Sequence, residues 1–180
     1  TYDAAAFRRR LMRWYRANGR HGLPWRLTRD PYAVLVSEVM LQQTQVERVL
    51  PYYEAWLERW PDFATLAAAP AAEVIRAWRG LGYNRRALNL YRLAGAVAED
   101  HGGELPRESR ALLALPGVGE YTASAVRCFA RGERVRVADT NIARVVARTM
   151  LGAASQREVP NQALAGALES LLPVRNARDH

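Results

Sequence analysis

The sequence contains no lysine: all 26 of its basic side chains are arginine. No side-chain amine is therefore available for Schiff-base chemistry, which removes lysine-dependent covalent catalysis from consideration. Cysteine is nearly absent too. Cys128 stands alone, so no intrachain disulfide, cysteine-ligated zinc or iron–sulfur cluster can be assembled from these residues by themselves. His21, His101 and His180 show no metal-ligand spacing, and metal-assisted hydrolysis is not expected. No stretch approaches the roughly 18 consecutive apolar residues of a membrane span. The arginine-rich start, Tyr2 to Arg20, is not followed by a long apolar run or a small-residue cleavage pattern, so neither a membrane role nor a secretory signal is expected. The expectation is an intracellular protein, cytoplasmic and nucleoid-associated in a bacterium.

At 180 residues, 49% hydrophobic and 24% charged, the chain has the length and composition of one soluble globular domain with a sizeable core. Its 26 basic against 18 acidic residues leave a formal charge of +8, which suits an anionic partner. Arginine suits phosphate in particular, because its planar fork donates two parallel hydrogen bonds. A GC-rich genome would produce the same bias.

Apolar residues recur at helical spacing almost throughout, and Val135 to Val137 is too short to read as a strand, so the fold class is all-α. Asp3 caps a helix to about Asn18, followed by a turn through Leu23-Pro24-Trp25-Arg26. Asp30-Pro31 has the form of an N-cap followed by proline at the first helical position, and opens a helix to about Thr44. Further helices are expected near Val46–Trp60, Phe63–Ala68, Ala71–Trp78, Arg85–Asp100, Glu108–Leu113, Glu120–Ala130, Asp139–Leu151 and Asn161–Leu172. Trp14, Trp56, Trp60 and Trp78 read as core or helix-packing residues.

Leu115-Pro116-Gly117-Val118-Gly119 lies between two of these helices, where the glycines permit a tight turn and a close approach. The amides there, with the positive end of the next helix, form a site suited to an anion such as a nucleic-acid phosphate. A plain packing corner would use the same glycines. Eighteen residues beyond Tyr121, Val137-Ala138-Asp139-Thr140-Asn141 places a carboxylate at a helix start.

This order and spacing resembles the helix-hairpin-helix superfamily of base-excision DNA glycosylases, in which that aspartate is catalytic. Ser37-Glu38-Val39-Met40-Leu41-Gln42-Gln43-Thr44-Gln45-Val46 narrows the likeness, being similar to the signature of the MutY-type adenine DNA glycosylases. Leu23-Pro24-Trp25-Arg26 and Gly80-Leu81-Gly82-Tyr83 resemble that family in the same order, and the likeness runs from about residue 5 to the end of the chain.

The resemblance implies a two-lobed fold with the site in the cleft between lobes. In a single catalytic domain, 1–180, one lobe would span about 28–135 and carry Glu38 and the 115–119 hairpin; the other would combine about 1–27 with 136–180. Glu38 would be the general acid that protonates adenine at N7 and later helps to activate water, its pKa raised by apolar neighbours such as Val36, Val39 and Met40. Asp139 would stay ionised beside the sugar cation, with Asn141 hydrogen-bonding in the same site. Read without the family, Glu38 is a surface glutamate and Asp139 an ordinary N-cap.

Tyr121 falls where the endonuclease III type of bifunctional enzyme has lysine, so the expected reaction is monofunctional hydrolysis of adenine mispaired with 8-oxoguanine or guanine. Gln43, Thr44, Leu81 and Tyr83 match positions that contact or wedge beside the opposite base. Gly117, Gly119 and the amide of Thr122 would hold a phosphate, and Arg26, Arg85 and Arg86 would contact others. Carbonyls of Leu113, Leu115 and Val118 would take a Na⁺ or K⁺ ion.

The expected partner is double-stranded DNA with a mispaired or damaged base, bound by a monomer. Family members continue past the position of His180 into a four-cysteine [4Fe–4S] segment and, in many, a domain for 8-oxoguanine; the expectation is a truncated chain, with a cluster-less member as the alternative. Three rivals stay open: a thymine or uracil mismatch glycosylase, a non-catalytic helix-hairpin-helix DNA-binding module, and a structural all-α protein.

Overall fold

A computed structural model describes residues 3–172. The described residues contain eleven α-helices and no strand: α1 Ala4–Asn18, α2 Pro24–Leu27, α3 Pro31–Leu41, α4 Val46–Arg59, α5 Phe63–Ala67, α6 Ala71–Ala77, α7 Arg85–Asp100, α8 Ser109–Ala114, α9 Glu120–Phe129, α10 Thr140–Met150 and α11 Asn161–Leu171, with a 3-10 turn at Gln156–Glu158. None is long and apolar enough to cross a membrane. The run 176–180, on which the expectation of truncation rested, lies outside the described residues.

Caps written in the sequence set several helix starts. The Asp3 carboxylate accepts from the Ala6 amide at 2.9 Å and Asp30 from Tyr32 at 3.0 Å, each satisfying a first-turn donor that the helix itself leaves unpaired. Two segments depart from expectation. Leu23-Pro24-Trp25-Arg26 is a turn of helix started by proline at its first position, and α3 stops at Leu41, short of Thr44, because Gln43 adopts a left-handed conformation (φ 57°).

Helix α3 is the centre of the molecule. Every residue from Tyr32 to Met40 is buried, as expected of a helix that is apolar nearly all round. It packs against α2, α4, α7 and α9, while α7 covers α5 and α6. The continuous core runs from Trp25 to Ala130. Its aromatic centre is Trp56, which meets Trp60 and Trp78 edge to face at 4.8 and 5.5 Å and donates its indole N–H to the Tyr32 hydroxyl at 3.2 Å.

The remaining helices, α1, α10 and α11, pack mainly on one another. They bury little: only Val146 and Ala147 of α10 are fully covered, and α1 and α11 have no fully buried residue. Trp25 packs with the first group, edge to face with Tyr53 at 5.2 Å. Trp14 is not a core residue but 60% exposed on α1.

Candidate active site

Glu38 sits in the last turns of α3. Among the described residues it is the only carboxylate or guanidinium-bearing residue in the buried class, at 9% exposure. Removing a carboxylate from water penalises its charged form, and burial pushes Glu38 from an ordinary 4.5 up to about 7. One interaction opposes the rise, a hydrogen bond donated by the Tyr121 hydroxyl. Burial, and after it the charge of Glu38, keep the Tyr121 phenol well above its usual range, and the charge of Asp139 adds to this. Tyr121 is thus a protonated donor that touches Glu38 and lies within electrostatic reach of Asp139.

Asp139 occupies a different environment. It is half-buried and caps α10, accepting from the Ile142 amide at 2.7 Å through Oδ1 and from Asn141 Nδ2 at 3.2 Å through Oδ2. Arg144 in turn donates to Asn141 Oδ1 at 2.7 Å. Both carboxylate oxygens are held by donors, so the group is oriented at the positive end of a helix. Of the four residues that the sequence singles out for chemistry, Tyr121 is the common neighbour: it lines one cleft with Glu38 and another with Asn141, and Asp139 lies within its electrostatic reach.

A cleft of about 580 Å³ opens beside Glu38. Leu23, Trp25, Arg26, Leu41 and Val46 line it, together with Trp14 and Tyr15 of α1. The volume suits a small planar ligand. Arg26 donates to the Tyr15 hydroxyl at 3.0 Å and the Arg20 carbonyl at 3.3 Å. Sequence reasoning did not assign Leu23, Trp25, Leu41 or Val46 to the site. Their neighbourhood to Pro24-Trp25-Arg26 and to Glu38 was the available signal.

The glycine turn divides its labour. Gly117 has φ 77°, and a Cβ there would lie 2.8 Å from the Asn89 side chain of α7, so packing and backbone both require glycine. Gly119 is extended, and a Cβ there would meet nothing. No side chain caps α9, in contrast to α3 and α10. Its first-turn amides are left for an outside acceptor, the geometry of an anion site at a helix N-terminus.

Asn89 also links this turn to a shallow groove of about 450 Å³ lined by Gln42, Gln43, Tyr83, Asn84, Arg85 and Arg86. Gln43 (φ 57°) and Tyr83 (φ 49°) are the non-glycine residues with positive φ among those described. Such conformations cost on the order of 1–2 kcal/mol each and gather at functional sites. Tyr83 is 67% exposed. Leu81, by contrast, is buried at 5%, its side chain in the core beneath the turn. Thr122 is buried as well. Arg86 and Thr44 are bonded to the protein itself, and Arg85 is exposed.

Comparison with known proteins agrees with this geometry. Residues 36–168 match the HhH-GPD superfamily base excision DNA repair protein family, and the chain belongs to that family. It is 50% identical over 145 residues to an adenine DNA glycosylase of Mycolicibacterium smegmatis, covering 80% of this chain and 49% of the relative. It is 36% identical over 161 residues to a thymine/uracil-DNA glycosylase of Methanothermobacter thermautotrophicus, covering 89% of this chain and 73% of the relative. The solved structure of a thermostable thymine-DNA glycosylase superimposes with a TM-score of 0.88 at 33% identity, over 98% of this chain and 81% of that one. The all-α fold is therefore the helix-hairpin-helix glycosylase fold. The chain spans about half the length of the adenine relative.

Proposed function

We propose that this chain is the catalytic domain of a monofunctional adenine DNA glycosylase, removing adenine mispaired with 8-oxoguanine or guanine from double-stranded DNA. One observation carries the reading: a buried glutamic acid that titrates near neutrality lines a cleft large enough for a base and shares Tyr121 with a half-buried aspartate.

The difficulty in breaking an N-glycosidic bond lies in the poor leaving group and the cationic sugar. Neutral Glu38 would give its proton to N7 of an adenine seated against Trp25, Leu41 and Val46, so the bond electrons leave with a neutral base. Asp139, held by Ile142 and Asn141, would place negative charge at C1′ and stabilise the cation directly or through a transient ester. Water then adds at C1′ and returns a proton to Glu38, leaving an abasic site. Tyr121 cannot form a Schiff base, which agrees with hydrolysis without strand cleavage.

Extruding a base costs a few kcal/mol. Exposed Tyr83 and Gln43 form the edge suited to filling the gap, with Arg85 and the first-turn amides of α9 on the phosphates. The carbonyls of Leu113, Leu115 and Val118 are a donor set suited to a hard monovalent cation at that turn, although Leu115 already accepts from the Val118 amide at 3.2 Å. A [4Fe–4S] cluster needs four thiolates, and Cys128 is the only cysteine of these 180 residues.

A thymine or uracil mismatch glycosylase is the second reading, favoured by the larger share of those relatives that the chain covers. Duplexes containing single A:8-oxoguanine, A:G, T:G and U:G pairs, treated with alkali after incubation, separate the two. Adenine release that disappears in Asp139→Asn supports the first reading, and thymine or uracil release the second. Binding without release of any base would instead indicate a non-catalytic module.

A further inference from the structure

Arg86 is the most heavily bonded side chain among the described residues. Its Nη1 donates to the carbonyls of Val39, Met40 and Gln42 at 2.8, 3.1 and 2.6 Å. Its Nη2 donates to Thr44 Oγ1 and to the carbonyls of Leu81 and Gly82, all at 3.2 Å. The first three acceptors are at the C-terminal end of α3, where a helix leaves carbonyls unpaired and a cation is favoured. The last two belong to the turn before α7. The guanidinium also lies over the rings of Trp78 and Tyr83, at 5.4 and 5.6 Å. One side chain therefore ties together two turns about forty residues apart, and each turn holds a non-glycine residue in the left-handed region, Gln43 on one side and Tyr83 on the other.

We propose that Arg86 is a positioning residue that locks turns 42–44 and 80–83 into one preset edge, fixing Gln43 and Tyr83 in their left-handed conformations before DNA arrives. The proposal rests on the reading of that edge as the part that meets an opened base pair. With both of its Nη groups bonded to the protein and its Nε buried, Arg86 acts on DNA through Gln43 and Tyr83 and not through a phosphate of its own. Lysine cannot replace it, because an ammonium head has no planar fork to reach two turns at once.

Hydrogen exchange on the full chain tests the lock, followed at the amides of Thr44 and Leu81, which donate to the carbonyls of Leu41 and Trp78. Arg86→Met keeps the apolar stem and removes the donors. We expect both amides to exchange faster together, by about tenfold or more, while the Leu90–Val97 amides of α7 are unchanged. Arg86→Lys should fall between Met and the unmodified chain. Loosening of one turn alone, or only alongside α7, would overturn the proposal.

A second arm reads the consequence as single-turnover base release at saturating duplex. Arg86→Met and Tyr83→Ala should each slow release, and the double variant should be no slower than the slower single, since both act through one edge. Losses that multiply would contradict the proposal. Failure of the unmodified chain to release any base would count against the glycosylase reading, and the exchange experiment would still decide the lock.

Discussion

The end of α3 and the start of α10 each place one carboxylate within electrostatic reach of Tyr121, in contrasting surroundings. Glu38 is buried, with the Tyr121 hydroxyl as a donor. Asp139 is half-exposed and held by a backbone amide and a carboxamide. Burial favours holding a proton, whereas donors on both oxygens fix a carboxylate's orientation. Two residues of similar chemistry are thereby fitted for different tasks, an acid for the leaving base and an anion for the sugar.

The largest effect should come from exchanging either preparation. Asp139→Asn is expected to lower base release by about a thousandfold or more. Asparagine caps helices nearly as well as aspartate, so thermal unfolding should be almost unchanged; a large loss of stability would mean that Asp139 is mainly structural.

Glu38→Gln should remove activity by a comparable factor and yet stabilise the protein at alkaline pH. A carboxyl whose folded pKa is raised from 4.5 to about 7 favours the unfolded state wherever it must ionise. That penalty is absent below the unfolded value, grows between the two and is complete above about 7, reaching roughly 3 kcal/mol. Urea unfolding at pH 8 and pH 4.5 reads it: the variant should gain at the higher pH and not at the lower, and a loss at both would contradict the burial account.

The two helix groups extend the contrast. Trp56, at 2% exposure in the centre of the α2–α9 core, should cost about 3–5 kcal/mol when changed to alanine. Trp14→Ala on α1 should cost within about 0.5 kcal/mol and act on substrate affinity, because Trp14 lines the cleft. Equal costs would mean that α1 is as firmly packed as the core. The smallest effect is expected from Tyr121→Phe. Its hydroxyl lowers the Glu38 pKa, so removing it should move any alkaline fall in activity to higher pH, with little change in rate below neutrality.

Much of this was legible in the chain because its signals are local. Asp3, Asp30-Pro31 and Asp139 announce helix starts through caps that need only the next three residues, and the Ser37–Val46 motif singles out Glu38 by resemblance. What was not legible depends on which residues far apart in sequence come to face one another. Arg86 read as a phosphate contact, and its acceptors lie as far off as Val39. Leu81 read as a wedge, and packing turns it into the core while Tyr83, two residues on, is left outside. Trp14 read as core from helical spacing, but the face of α1 that carries it borders a cleft. Arg26 read as a DNA contact, and it also lines the cleft beside Glu38.

The central claim is that Glu38 must carry a proton for the base to leave. The pH dependence of single-turnover adenine release from an A:8-oxoguanine duplex, at saturating protein, tests it directly. The account predicts a plateau below about pH 7 and a fall of about tenfold per pH unit above it, displaced upward in Tyr121→Phe. A rate that stays level from pH 6 to pH 9 would contradict it.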